Sequence, residues 1–319
     1  MILAILLLAV ASSLHAAPPP RLYDGLEPGP RRVGYLHLEK VDLWYPATVA
    51  TEPMTLRRYM GERAEEPLAF LRERGISAAA IDAVVDEPLL ASREAPPDRE
   101  RRWPLLLIAQ GNGQDAVDQS ILAEYLASFG FVVASVPSPM LRRPMTGESE
   151  IGEFAELQAD DLERAWTAAE KLLPVDGSRA GVIGHSFGAR SALFLAMRRR
   201  PIRALVSLDG GIGTATGIDE MRSAKSFAAG RRLPPLLHFY ERLDSFMHPD
   251  FMFLRALRFE KQTLADAGAM HHFHFTWLGY AAATNAEFAK VTHAPDGLAT
   301  AVKSMDEKVR DFVIREVKR

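Results

Sequence analysis

From Trp103 onward, short runs of branched and aromatic residues alternate with longer amphipathic stretches, the pattern of parallel strands joined by crossover helices. Strands are predicted at Leu105 to Ala109, Phe131 to Val136, Ala180 to Ile183, Ala204 to Leu208, Leu236 to Tyr240 and His272 to Leu278. Helices are predicted over 117–128, 153–173, 187–199, 251–266 and 298–317. The second has an apolar face of Phe154, Leu157, Leu162, Ala165, Trp166, Ala169 and Leu172. The first four strands are almost continuously apolar, as expected where both faces of a sheet are covered. Upstream, Val33 to Leu38 and Val41 to Tyr45 read as edge strands. Residues 62–87 carry Leu68, Leu71, Ile76, Ile81, Val84 and Val85 at helical spacing, with Pro67 near a helix start and Gly75 as a break, and predict a small helical insert. The expected architecture is one α/β domain over 17–319, a mostly parallel central sheet with helices on both faces.

The first stretch stands apart. Ile2 to Ala11 is apolar, and small and polar residues then lead into Ala16-Ala17-Pro18. About ten apolar residues fall short of the roughly 20 that a membrane-spanning helix needs. Residues 1–16 therefore read as a signal peptide, and export as a periplasmic or secreted bacterial protein is expected, with no stable membrane anchor after cleavage. The 319 residues contain no cysteine, which removes disulfide scaffolds, thiol nucleophiles and cysteine-ligated metals. Thirty-eight basic and 41 acidic side chains are interspersed at a net charge of −3, so no footprint for nucleic acid is present.

The chemistry concentrates at Gly184-His185-Ser186-Phe187-Gly188, between a predicted strand and a predicted helix. A G-x-S-x-G turn in that context holds serine in a sharp, strained bend, with glycines where side chains would collide. Ser186 is the candidate nucleophile. His185 leaves the backbone in a different direction and reads as structural. The second motif is Gln110-Gly111-Asn112-Gly113, directly after a strand. Acyl transfer requires donors for the negative oxygen of a tetrahedral intermediate, and the backbone amides of Asn112 and Phe187 are the candidates.

These residues resemble the α/β-hydrolase superfamily, and within it the branch of platelet-activating-factor acetylhydrolase and dienelactone-hydrolase-like proteins. The resemblance also rests on Val33-Gly34, Trp44-Tyr45-Pro46-Ala47, Leu126-Ala127-Ser128-Phe129-Gly130-Phe131-Val132-Val133 and Leu208-Asp209-Gly210. It implies an acid at the end of the strand after the nucleophile helix, which falls on Asp209. Other branches carry the acid after the next strand, which would indicate Asp244. Both lie beyond the carboxyl end of a strand, where α/β sheets place ligands.

The base is harder to find. Relatives place a histidine after the last strand, about three residues past a glycine and a few before an aromatic residue. Matching that pattern to Gly279 and Phe288 puts Ala282 in the position of the base. His271, His272 and His274 begin the predicted last strand and are expected at its far end, and His238 lies inside a strand. His293 is the candidate base, with His248 as the alternative. Loss of a triad histidine costs a serine protease roughly 10⁶ in turnover, so a vacant position would nearly silence the enzyme. Two functions are therefore expected to compete. One is a serine hydrolase that cleaves carboxylic esters, including lipid-like ones, without metal or organic cofactor. The other is a catalytically impaired binding protein that uses the same cleft.

Overall fold

The computed structural model describes residues 19–198, 201–244 and 248–318. The predicted signal peptide lies outside them. An antiparallel hairpin comes first, β1 (Arg32–Leu38) and β2 (Val41–Ala47), followed by the helices α1 (Leu56–Met60), α2 (Glu65–Glu73) and α3 (Ala78–Val85) and the short strand β3 (Ala91–Arg93). The body alternates: β4 (Trp103–Ala109), α4 (Ser120–Ser128), β5 (Val132–Val136), α5 (Ile151–Leu172), β6 (Val175–His185), α6 (Gly188–Met197), β7 (Ile202–Leu208) and α7 (Ile218–Ser223). The last third holds β8 (Arg232–Leu233), β9 (Leu236–Tyr240), α8 (Met252–Ala256), β10 (Arg258–Phe259), β11 (Gln262–Asp266), α9 (Trp277–Thr284), α10 (Ala286–Val291) and α11 (Leu298–Val317).

Nine strands form one sheet in the order β11-β9-β7-β6-β4-β5-β2-β1-β3, and β8 pairs with β10 outside it. From β11 to β5 every neighbour is parallel, while β2 runs antiparallel to both β5 and β1. Alternation along the strands divides the core between the two faces. Leu106, Ile108, Val133, Ile183, Val206 and Phe239 join a cluster with α4, α9 and α11. Leu105, Leu107, Val132, Val182, Leu205 and Leu236 join the other with α5 and α6. The predicted fold class, a mostly parallel central sheet with helices on both faces, is the observed one.

The insert folds as two helices. Leu68, Leu71, Ile76, Ile81, Val84 and Val85 are all buried in the first of those clusters. Ser77 caps α3, and its own N–H and hydroxyl donate to the Glu287 carboxylate on α10, at 2.6 and 2.9 Å. Arg63 pairs with Asp115, just past the glycine loop that follows β4.

Two segments differ from expectation. The predicted helix over 251–266 contains only α8, and the chain then extends into β10 and β11. The predicted strand His272 to Leu278 is a 3₁₀ turn, His272–Phe275, leading into α9. β11 lies at the sheet edge and is only half-buried, so it lacks the apolar run that marks the central strands. The aromatic and β-branched residues of 272–278 favour a strand locally, yet Thr276 caps α9 by accepting the Leu278 N–H, and helix packing prevails. The last strand is thus β11, and Ala282 is a buried residue inside α9 rather than part of a catalytic loop. Among the described residues, no helix is long and apolar enough to cross a membrane.

Candidate active site

Ser186 sits on the bend between β6 and α6 at φ +51°, a conformation that costs a non-glycine residue energy and persists only where its surroundings hold it. Here three backbone bonds do so. Its N–H donates to the Leu208 carbonyl at 3.0 Å, and its carbonyl accepts from Gly211 at 2.9 Å and Ala189 at 3.3 Å. Position 188 must be glycine, because a Cβ there would lie 2.1 Å from the Ala109 carbonyl oxygen. The result is a half-buried serine at the carboxyl edge of the sheet.

The Ser186 hydroxyl lies 2.9 Å from His272 Nε2, and His272 Nδ1 lies 2.5 Å from Asp209 Oδ2. An ionised carboxylate only accepts, so Nδ1 carries the imidazole proton and Nε2 presents a lone pair to the serine hydroxyl. Asp209 follows β7 directly at φ +43° and is 3% exposed, and its other oxygen accepts the Glu241 N–H at 3.1 Å. The histidine ring is stacked on His185, with centroids 5.0 Å apart, and has the Phe273 ring at its edge. Its backbone N–H donates to Asp244 Oδ2 at 2.9 Å. Ring, backbone and stacking face are all fixed.

The loop after β4 satisfies most of its own backbone donors. The Gly111 N–H donates to Gln114 Oε1 at 2.6 Å, Gly113 to Ser138 Oγ at 3.2 Å, and Gln114 to the Gly111 carbonyl at 3.1 Å. Asn112 N–H, between them, has no acceptor among the described residues, and neither has Phe187 N–H at the head of α6. A Cβ on Gly111 would lie 2.9 Å from Ser186 Cβ, so this loop packs directly against the serine. His185 braces it, with Nδ1 2.7 Å from the same Gln114 oxygen and Nε2 3.3 Å from the His272 carbonyl. Burial, reinforced by repulsion from His272, holds His185 well below the usual histidine range and therefore neutral.

The structure corrects the choice of base. His293 closes α10, its N–H donating to the Lys290 carbonyl at 3.3 Å, and the imidazole beside Ser186 is that of His272. His248 is an exposed loop residue. Asp244, the alternative acid, binds the His271 ring at 2.8 Å and the His272 backbone instead of the His272 ring. Burial opposes its charge, but the bonds from His272 N–H and His271 prevail and hold its carboxyl below the usual range. His238 is packed inside β9 against Ser207 Oγ at 2.8 Å, and burial lowers it to about 3. Ala282, the expected position of the base, lies inside α9, and the imidazole beside Ser186 is that of His272.

His272 falls in the segment expected as a strand and observed as a 3₁₀ turn. Gly268 precedes it by four residues and Phe275 follows by three, close to the spacing that the resemblance implies, after the weak edge strand Gln262–Asp266.

The chain is similar to a ferulic acid esterase from Streptomyces cinnamoneus, with a TM-score of 0.62 over 91% of this chain and 90% of that one. The fold is that of the α/β hydrolases. Sequence identity between the two chains is 21%, a likeness of architecture. No protein-family model and no curated protein matches the sequence. Two hollows elsewhere on this α/β-hydrolase fold, about 410 Å³ between α5 and α7 and about 480 Å³ near the start of β7, include neither Ser186 nor His272.

Proposed function

We propose that the protein is a serine hydrolase that cleaves carboxylic esters. The observation that carries this reading is the continuous chain Ser186 Oγ, His272 Nε2, His272 Nδ1, Asp209 Oδ2, at 2.9 and 2.5 Å. His272 takes the serine proton as Oγ attacks the acyl carbon, and the Asn112 and Phe187 amides stabilise the oxygen that becomes negative. The imidazolium, steadied by Asp209, protonates the departing alcohol. Water then enters, His272 takes its proton, and the acid leaves as Ser186 is restored. Every step uses side chains and backbone of this chain.

The acid directly after β7 in Leu208-Asp209-Gly210 supports the acetylhydrolase and dienelactone-hydrolase-like branch, and the ferulic acid esterase neighbour supports an ester as the bond cleaved. The apolar run from Ile2 to Ala11 supports export to the periplasm or beyond. A fluorophosphonate probe tests the reading. Stoichiometric labelling of Ser186, with p-nitrophenyl acetate turnover falling about 10⁶-fold in Ser186→Ala, is expected. Folded protein that neither labels nor turns over the ester refutes it.

A further inference from the structure

Behind the histidine, three side chains converge that exchange no proton in the proposed ester cleavage. Glu241, Asp244 and His271 each offer one ligating atom, and these atoms all lie within 4.8 Å of one another. Glu241 opens the loop after β9 and is wholly buried. Its Oε2 accepts the N–H groups of Leu243 and Asp244 at 2.5 and 2.8 Å, while Oε1 is buried with no partner. An orphaned, buried carboxylate oxygen is costly unless a proton or a cation meets it.

The electrostatics of this corner favour a cation. The carboxylates of Asp209 and Asp244 add negative charge beside the buried Glu241. Arg242, the one arginine in this turn, points outward and pairs with Asp266 at 3.0 Å. The donor set narrows the ion. Two carboxylates and an imidazole suit borderline transition metals, whereas Ca²⁺ and Mg²⁺ favour all-oxygen shells.

We propose that Glu241, Asp244 and His271 bind one divalent transition-metal ion of the Zn²⁺ or Mn²⁺ class, with water completing its shell. The ion performs no step of ester cleavage. Its role is bracing: Glu241 N–H holds Asp209, and Asp244 holds the His272 N–H, so one ion ties the loop after β9 to the loop after β11. Two ligands thereby fix the backbone partners of the acid and of the imidazole.

The test is isothermal titration of EDTA-treated full-length protein with ZnCl₂, MnCl₂ and CaCl₂, alongside thermal unfolding. One saturable Zn²⁺ or Mn²⁺ site per chain and a raised Tm are expected, with affinity at least tenfold weaker in Glu241→Gln and in His271→Asn. Circular dichroism verifies the fold of each variant. The half-buried His271 position keeps the test decisive should the buried Glu241→Gln fail to fold. Absence of saturable binding, unchanged affinity in the folded variants, or Ca²⁺ binding as tight as Zn²⁺ overturns the proposal. Because binding is read without substrate, a protein that binds Zn²⁺ but cleaves no ester would sink the hydrolase reading and leave this one standing.

Discussion

Two acids from neighbouring strand ends hold the same histidine in different ways. Asp209, after β7, takes the ring N–H of His272 at 2.5 Å from a site 3% exposed. Asp244, after β9, takes its backbone N–H at 2.9 Å and the ring of His271 at 2.8 Å. Only the first contact reaches the ring whose Nε2 lies 2.9 Å from Ser186 Oγ. The second decides where the imidazole hangs. One loop residue thus has an electrostatic partner and a separate positional partner, and the two are expected to fail by different amounts.

Removing the shared histidine is the strongest way to break the contrast. His272→Ala is expected to lower p-nitrophenyl acetate turnover about 10⁶-fold, the scale of a lost triad histidine, while His293→Ala leaves the rate unchanged. A large loss in His293→Ala would reverse the assignment.

Next comes the ring partner. Asp209→Asn keeps the shape but weakens control of tautomer and charge, and is expected to cost about 10⁴ in kcat. Asp244→Asn should cost about 10², the price of a misplaced catalytic group, and leave KM near its starting value. Equal losses in these two variants would show that the ring and backbone contacts do not divide the labour.

A third kind of carboxyl sharpens the comparison at the level of stability. Glu124 and Asp306 are fully buried and meet chiefly tyrosine hydroxyls and a backbone N–H in place of an imidazole. Burial raises each to about 8. Their folded values exceed the unfolded ones, so their contribution is complete below the unfolded carboxyl range and is lost as pH rises through about 8. Each should lower stability by about 1.4 kcal/mol per pH unit across that window. Denaturant melts from pH 5 to 8 should show Glu124→Gln with a shallower decline than the parent, and an identical slope would contradict the assignment.

The same contrast explains what could be read from the chain. The elbow was legible because its determinants are local: Gly184, Ser186 and Gly188 fall within five consecutive positions, and the apolar run before them and the helical pattern after them lie within 15 residues on each side. Asp209 was reached through the resemblance, in Leu208-Asp209-Gly210 directly after β7. His272 was not. Its strand, β11, is half-buried at an edge and carries no distinctive pattern, while the aromatic residues after it imitate a strand.

By itself, then, the order of residues determined the alternation of strands and helices, the sharp bend carrying Ser186 and the loop of free amides before it, because backbone sterics and burial on both sheet faces act over short stretches. Only tertiary structure decided which of nine histidines meets the serine. That choice depends on Asp209, Asp244 and His185, which are 27 to 87 residues from the loop they hold. Hydrogen bonds across such separations leave no periodic trace along the chain.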